Sequence, residues 1–207
     1  MRADPGTIDP HFDSANGVLY NLRGIKDQKE LDRFESGRAL KALIGITINS
    51  IRGNFDQSHL QAIHQRIFGA VYPWAGELRR VNIARQGSYP FALVQFLQRN
   101  LDRTFSELAS EGHLKELGVR AFVDRAGVYL GELNTLHPFR EGNGRTQREF
   151  IRELAMEAGH TLDWSRVSQK QMYEASALSH NLGKSAPLAE VIQSALLPRR
   201  RTRVPNL

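Results

Sequence analysis

The chain has 207 residues, a length suited to one compact domain. Apolar residues make up 41% of it, which is enough for one sizeable core, and the absence of cysteine excludes disulfides and thiolate metal sites. No stretch approaches the roughly 20 apolar residues of a membrane span, and the polar start of the chain lacks the apolar run of a signal peptide. We therefore expect a cytoplasmic protein that does not enter a membrane.

The net charge of +6 raises the question of nucleic-acid binding. Four of the positive charges, however, come from the last nine residues: Arg199, Arg200, Arg201 and Arg203. Without them the chain is nearly balanced, so we expect residues 198–207 to form a solvated basic tail. A nucleic-acid-binding module that uses this tail stays as an alternative, although no DNA- or RNA-binding motif supports it.

The first half of the chain begins with an irregular leader over residues 1–26, rich in Asp, Pro, Gly and Asn. Apolar spacing predicts a helix over 28–50, with core candidates at Leu31, Phe34, Leu40, Leu43 and Ile44. Asp56 or Ser58 can cap a second helix that reaches Phe68.

The helical period is lost between residues 72 and 91, where Pro73, Gly76, Gly87 and Pro90 interrupt short apolar runs. This pattern predicts a β-hairpin or flap over 77–91. Helical spacing returns over 92–108, 114–133, 145–158, 168–181 and 187–197. The sequence thus predicts a single all-α domain over 1–197 that carries one small hairpin.

One dense segment, residues 137–148, reads HPFREGNGRTQR. Gly142, Asn143 and Gly144 form a small-residue turn before an amphipathic helix, whose free N–H groups and positive dipole end make an anion site. Arg145, Arg148 and Arg152 share one face of that helix by their spacing. Arginines beside a helix start can hold a polyphosphate through charge-assisted hydrogen bonds.

The same segment supplies the other groups that such a reaction needs. Glu141 can hold Mg²⁺, which commonly uses one or two carboxylates together with substrate phosphates. His137 can take a proton from an attacking hydroxyl near neutral pH. Phe139 is expected to point inward and anchor the loop. Together these residues predict phosphoryl or nucleotidyl transfer, and no Walker-type loop offers an ordinary NTPase alternative.

Each feature alone has a plainer interpretation. A histidine before a helix is often structural, Gly-Asn-Gly is often only a turn, and arginines along a helix often face solvent. Their combination within twelve residues favours the functional interpretation. His59 and His64 lie five residues apart and do not share a helix face, so we expect no metal site there.

The segment resembles the Fic signature, HxFx(D/E)GNGRxxR, at every specified position. Residues 71–77, VYPWAGE, together with Arg79, resemble the segment before the family's target-docking flap. Residues 16–27, NGVLYNLRGIKD, resemble the leader of toxin-type Fic proteins. The resemblance covers nearly the whole chain and is weakest beyond about Ala186.

The resemblance implies a Fic fold and an enzyme that transfers AMP from ATP, with Mg²⁺, to a Tyr, Thr or Ser of a protein. It implies these roles: His137 as general base, Glu141 as Mg²⁺ ligand, the 142–144 turn as anion hole with Asn143 near the α-phosphate, Arg145 at the β- and γ-phosphates, and Arg148 at the γ-phosphate. It also implies that flap residues dock the target, and these are Arg79, Val81, Asn82 and Ile83. Glycine at position 144 favours AMP transfer over the phosphorylation of the related Doc branch, which has lysine there. Transfer of UMP or phosphocholine stays an alternative.

Fic proteins are typically inhibited by a helix bearing (S/T)xxxE(G/N), whose glutamate pairs with the second motif arginine, here Arg148. The nearest match is Ser106 to Gly112, but Glu111 lies five residues after Ser106, so the spacing fails. The resemblance therefore implies a separate antitoxin that carries this helix. Similar short Fic toxins modify DNA gyrase and topoisomerase IV, while related secreted effectors modify host GTPases. The sequence shows no evident secretion domain, so we expect a target of the first kind.

Overall fold

The computed structural model describes residues 1–4, 8–85 and 88–198. The helices of this part are α1 Gln28–Ile48, α2 Gln57–Phe68, α3 Val94–Ser110, α4 Val119–Leu136, α5 Asn143–Glu157, α6 Gln169–Leu182 and α7 Ala186–Ala195. Short 3-10 turns span Gly112–Leu114 and Trp164–Arg166. The strands are β1 Arg2–Ala3, β2 Phe12–Asp13, β3 Val18–Leu19 and β4 Ile83–Ala84, paired antiparallel as β1 with β4 and β2 with β3. The prediction of an all-α fold with a small hairpin is confirmed.

Polar side chains set the starts of several helices. The Asp56 carboxylate accepts from the His59 N–H at 2.8 Å and caps α2, as predicted. Ser168 and Gln171 form a reciprocal capping box at the start of α6. Pro187 lies in the first turn of α7, where its missing N–H costs nothing. These features explain why the predicted starts of α2, α6 and α7 lie close to the observed ones.

The core forms around α4, which buries residues along its length from Phe122 to Leu136. Helix α7 packs against α4 at Gly127, where a Cβ would lie 2.8 Å from the Ala189 Cβ. Helices α2 and α5 pack on each other, and Phe150, Ile151 and Leu154 of α5 are fully buried. Two rigid helices, α4 and α5, therefore flank the loop that contains the motif.

Two predicted core residues of α1 are not in the core. Leu40 and Ile44 are 61% and 56% exposed, whereas Leu31, Ala39 and Ile46 are buried. The apolar spacing predicted too many core residues because α1 is apolar on more than one face. Helix α1 packs against α2 with only one of these faces. Leu40, Ile44 and Ile48 form an exposed row at four-residue spacing, which we call the α1 stripe.

The predicted irregular leader contains more structure than its composition indicated. It holds β1 and the short β2–β3 hairpin, and β1 pairs with the flap strand β4. Each helix among the described residues is too short or too polar to span a lipid bilayer. The predicted basic tail, residues 198–207, lies outside the described residues except for Pro198.

Candidate active site

The motif loop connects α4 to α5 through two residues with left-handed backbone. His137 ends α4 with φ 46°, an uncommon conformation for a residue with a side chain. Gly142 precedes α5 with φ 81°, and a Cβ there would lie 2.3 Å from the Phe68 ring. Only glycine fits this position. The turn therefore aims the start of α5, with the free N–H groups of its first turn, into the adjoining cavity.

Side chains inside the loop hold its shape. The Asn143 amide is buried and closes the loop: its oxygen accepts from the Phe139 N–H at 2.8 Å, and its nitrogen donates to the Phe139 carbonyl at 2.7 Å. The Phe139 ring is fully buried, in the inward position that the sequence indicated. Because the Asn143 side chain is bonded within the loop, only its main-chain N–H is available for the predicted phosphate contact.

His137 is held in one orientation and one tautomer. Its Nδ1 lies 3.1 Å from the Asn134 carbonyl, which can only accept, so Nδ1 carries the proton and Nε2 keeps a lone pair. The imidazole stacks on Phe91 with ring centroids 3.7 Å apart. Burial, with smaller contributions from the cations Arg85 and Arg79, lowers the pKa of His137 to about 3. The side chain is therefore neutral at physiological pH, and its Nε2 lone pair is available to a hydrogen-bond donor.

The three arginines of the α5 face have different partners. Arg145 donates to Glu35 of α1 at 2.5 Å, and its guanidinium lies 4.6 Å from the centroid of the Phe68 ring. Arg152 is bound to Glu149 at 2.7 Å. Among the described residues, no side chain or carbonyl accepts a hydrogen bond from the Arg148 guanidinium. Burial and the nearby Arg145 lower the pKa of Arg148, so the site favours an incoming anion.

These groups face one cavity of about 760 Å³. Its lining includes the motif residues His137, Glu141, Gly142, Asn143, Gly144, Arg145 and Arg148. The rest of the wall comes mainly from α1, α4, α6 and the turn that contains Trp164, whose indole N–H donates to the Arg148 carbonyl at 3.0 Å. The structure thus brings the predicted base, the helix start and the free arginine together in one cleft.

Glu141 meets the chemical requirement of a Mg²⁺ ligand. One carboxylate oxygen accepts from the Gly142 N–H at 3.0 Å, and the other accepts no hydrogen bond from a described residue. A single oriented carboxylate at the mouth of a phosphate-binding turn fits a cation that also binds substrate phosphates. The residues present therefore fit the predicted metal.

Arg79, which the resemblance places in the target-docking flap, uses its side chain inside the protein. Its guanidinium is buried and donates to four carbonyls, those of Val81, Ala92, Leu136 and His137. Burial lowers the pKa of Arg79 to about 10. The side chain instead fastens the flap to the motif loop, because it bonds main-chain atoms of both.

The other flap residues also turn their side chains away from solvent. Val81 and Ile83 are 2% and 0% exposed and pack with Phe91 in a small second core. The Asn82 amide donates to Asp4 at 3.0 Å, and its oxygen accepts from the Val94 N–H at 2.8 Å. Only the main chain of these residues is therefore available to dock a target. The main chain of β4 is already paired with β1.

One residue that the sequence interpretation set aside supports the motif loop. His64 accepts from the Gly76 N–H at Nδ1 and donates from Nε2 to the Glu141 carbonyl at 3.0 Å. Its ring stacks on Phe139 with centroids 3.9 Å apart. The sequence did contain a signal for this supporting role. His64 is a polar residue four positions after Leu60 and four before Phe68, and it shares their buried face of α2. His59 instead binds Glu153 at 2.9 Å.

The fold and this cleft place the chain in a known class: it belongs to the Fic/DOC family, whose pattern matches residues 54–155. It is 45% identical to protein adenylyltransferase VbhT of Bartonella schoenbuchensis, over 95% of this chain and 41% of that protein. It is 38% identical to the probable protein adenylyltransferase y4lH of Sinorhizobium fredii, over 89% of this chain and 94% of that protein. The structure of BepC from Bartonella tribocorum with bound AMPPNP superposes with a TM-score of 0.87 at 26% identity, covering 92% of this chain and 97% of that one.

Proposed function

We propose that this chain is a protein adenylyltransferase, which moves AMP from ATP to a Tyr, Thr or Ser hydroxyl of another protein. The observation that carries the proposal is the cleft. A neutral histidine, the start of a helix and an arginine without an acceptor among the described residues face one cavity there. VbhT is named as a protein adenylyltransferase and y4lH as a probable one, and the BepC structure holds an ATP analogue. The chain spans less than half of VbhT, so its activity as a separate protein is part of the proposal.

The residues of the cleft account for the chemistry. The first N–H groups of α5, together with Arg145 and Arg148, bind the ATP phosphates. His137 Nε2 takes the proton of the target hydroxyl, whose oxygen then forms a bond to the α-phosphorus. The bond from the α-phosphorus to the bridging oxygen breaks, and diphosphate leaves with the developing charge held by the arginines. AMP remains on the target, and His137 then releases the proton to water and is neutral again.

A Mg²⁺ ion held by Glu141 would neutralise charge on the phosphates. Magnesium is part of the proposal because a lone oriented carboxylate faces the phosphate-binding turn.

Labelled ATP, Mg²⁺ and a bacterial lysate test the reaction, with His137→Ala as the matched variant. Loss of a general base lowers a rate by about 10²–10⁴-fold. We expect His137→Ala to lose transfer to that extent and to keep ATP affinity, since His137 does not hold the nucleotide. Transfer by the variant at a rate close to that of the unmodified protein would refute the assigned base.

Two alternatives make different predictions in the same assay. Transfer of UMP or phosphocholine uses the same motif, because contacts to the base lie outside it, and competing unlabelled donors distinguish these reactions. A nucleic-acid-binding module would instead be retained on DNA in a salt-sensitive way, and it would lose this retention without residues 198–207.

We further propose that the chain is the toxin of a toxin–antitoxin pair. The Arg148 guanidinium has no carboxylate partner among the described residues, so a glutamate from a separate protein can pair with it. Glu111, the nearest internal match, is bound to Arg125 and Tyr129 instead. The partner would be a small antitoxin with an (S/T)xxxE(G/N) helix.

The α1 stripe supports a helical partner beside the cleft. Leu40, Ile44 and Ile48 are exposed, while Ser36 and Leu43 of the same helix line the cavity. An amphipathic helix that covered the stripe would run along the helix that forms one wall of the cleft. Ile44→Asp should therefore weaken antitoxin binding and leave AMP transfer unchanged.

Expression of the chain alone tests the two-protein proposal. We expect growth arrest in bacteria, relieved by His137→Ala or by co-expression of the antitoxin. The proposed site of action is the cytoplasm, where ATP and the proposed targets, DNA gyrase or topoisomerase IV, are found. A purified, partner-free chain that becomes active only after a mutation in its own sequence would contradict this proposal.

A further inference from the structure

Glu35 is a carboxylate on the buried face of α1. It lies between Leu31 and Ala39 at four-residue spacing, and both of these neighbours are 1% exposed. A charge on a buried helix face is costly unless it is paired. One oxygen of Glu35 accepts from Arg145 at 2.5 Å, and the other accepts from the Tyr72 hydroxyl. Tyr72 therefore holds the Glu35 carboxylate, and the Glu35 carboxylate holds Arg145.

The two contacts have a fixed direction. Burial, and then the adjacent Glu35, raises the pKa of Tyr72, so its hydroxyl stays protonated and donates. Tyr72 is itself stacked on Trp74 with ring centroids 4.4 Å apart. The carboxylate of Glu35 thus has a defined orientation before Arg145 binds to it.

Arg145 is fixed on two sides. The Phe68 ring lies against its guanidinium, and Glu35 accepts from one terminal nitrogen. A guanidinium has five N–H donors, and Glu35 accepts only one of them in the described part of the chain. The remaining donors are left for an anion in the cleft that Arg145 lines.

We propose that Glu35, held by Tyr72, is a positioning residue that orients Arg145 for the phosphates of the nucleotide. This inference rests on the proposed function, because it needs ATP phosphates at Arg145. Without Glu35 the long arginine side chain would have to be ordered when the nucleotide binds. Ordering one such side chain weakens binding by roughly 2- to 12-fold.

The chain contains a matched control. Arg125 donates to both oxygens of Glu111, and the Tyr129 hydroxyl donates to Glu111 at 2.8 Å. This second Glu–Tyr–Arg group does not line the cleft. Glu111→Ala therefore removes the same kind of network without touching the nucleotide site.

Equilibrium binding of a fluorescent ATP analogue, together with melting temperature, tests the inference without requiring transfer. We expect Glu35→Ala to weaken binding about 3- to 10-fold and Glu35→Gln, which keeps an acceptor for Arg145, to weaken it less. Glu111→Ala should change affinity less than about 2-fold. In an Arg145→Ala background, Glu35→Ala should have no further effect on affinity. In the transfer reaction, Glu35→Ala should raise the KM for ATP and leave the KM for the target unchanged.

Two results would overturn the positioning role alone. Unchanged affinity in Glu35→Ala, with a lower melting temperature, would make Glu35 purely structural. Tighter binding in both Glu35 variants would make it a competitor of the phosphates. Failure of the unmodified protein to bind the analogue would instead overturn the proposed function and this inference with it.

Discussion

Two buried histidines, His64 and His137, hold or form part of the motif loop. His64 bridges the segment before the flap and the motif loop, and His137 lies beneath Phe91. Burial, with a smaller contribution from Arg145, lowers the pKa of His64 to about 4, and that of His137 is lowered to about 3. Both rings are therefore neutral in the fold at pH values where an exposed histidine is protonated.

This difference predicts acid sensitivity of the fold. Below pH 6.5 the unfolded chain binds protons on these histidines and the folded chain does not, so the free energy of unfolding falls as the pH falls. Each histidine contributes about 1.4 kcal/mol per pH unit between pH 6.5 and its folded pKa. Denaturant unfolding should show a loss of several kcal/mol from pH 7 to pH 5, and His64→Gln should remove a large part of it. Equal stability at both values would contradict the neutral assignment.

The sequence predicted the contents of the motif better than its surroundings. His137, Glu141, Gly142 and Arg148 all line the observed cleft, because they are neighbours along one loop and one helix. The partner of Arg145 lies 110 residues away, and no local pattern links the two. A charged residue within the buried row of α1 was the available signal, and its partner could be identified only from the fold.

For the flap, too, the sequence located the element but did not identify its partner. Loss of helical period correctly located an extended segment, but β4 is only two residues long and pairs with β1 from the start of the chain. Hydrophobic spacing does not report which distant strand supplies the partner. A target segment could pair with the main chain of β4 on this side only if β1 first separated from β4.

Removal of residues 2–4 tests whether β1 competes with a target. The deletion removes the β1–β4 pairing and the contact of Asp4 with Asn82 but keeps Asp9, which binds Arg140 at 2.5 Å in a buried pair. We expect faster AMP transfer to protein targets at unchanged ATP affinity, because the strand edge becomes free. An unchanged rate would indicate that targets do not use this edge.

For the whole molecule, the described packing ends with α7 and the residues that follow it. The Leu197 N–H donates to the Thr161 carbonyl at 2.9 Å, and the Asp163 N–H donates to the Ala195 carbonyl at 2.8 Å. These bonds fasten the end of the domain beside the turn that contains Trp164. The basic tail beyond residue 198 has no apolar pattern in its sequence that would add to this core.

A chain that stops after residue 198 should therefore fold and transfer AMP normally. We expect a melting temperature within about 2 °C of the full chain and unchanged initial rates, because surface changes of this kind usually alter stability by less than about 0.5 kcal/mol. A chain that stops after Gln193 is the control, since it loses the bonds made by Ala195 and Leu197 and should melt lower. A large loss of rate in the chain that stops after residue 198 would place the tail in the site.

The indole of Trp164 has a practical consequence for following the reaction. The protein has two tryptophans: Trp74 is buried in the core, whereas Trp164 lines the cleft and donates to the carbonyl of Arg148. A nucleotide that enters the cleft would change the surroundings of only one of these two chromophores. Intrinsic fluorescence should therefore follow nucleotide entry without any label in Trp74→Phe, and Trp164→Phe should be optically silent to the same ligand. Trp164 is thus an intrinsic fluorescent reporter beside Arg148, the arginine with which the proposed antitoxin glutamate would pair.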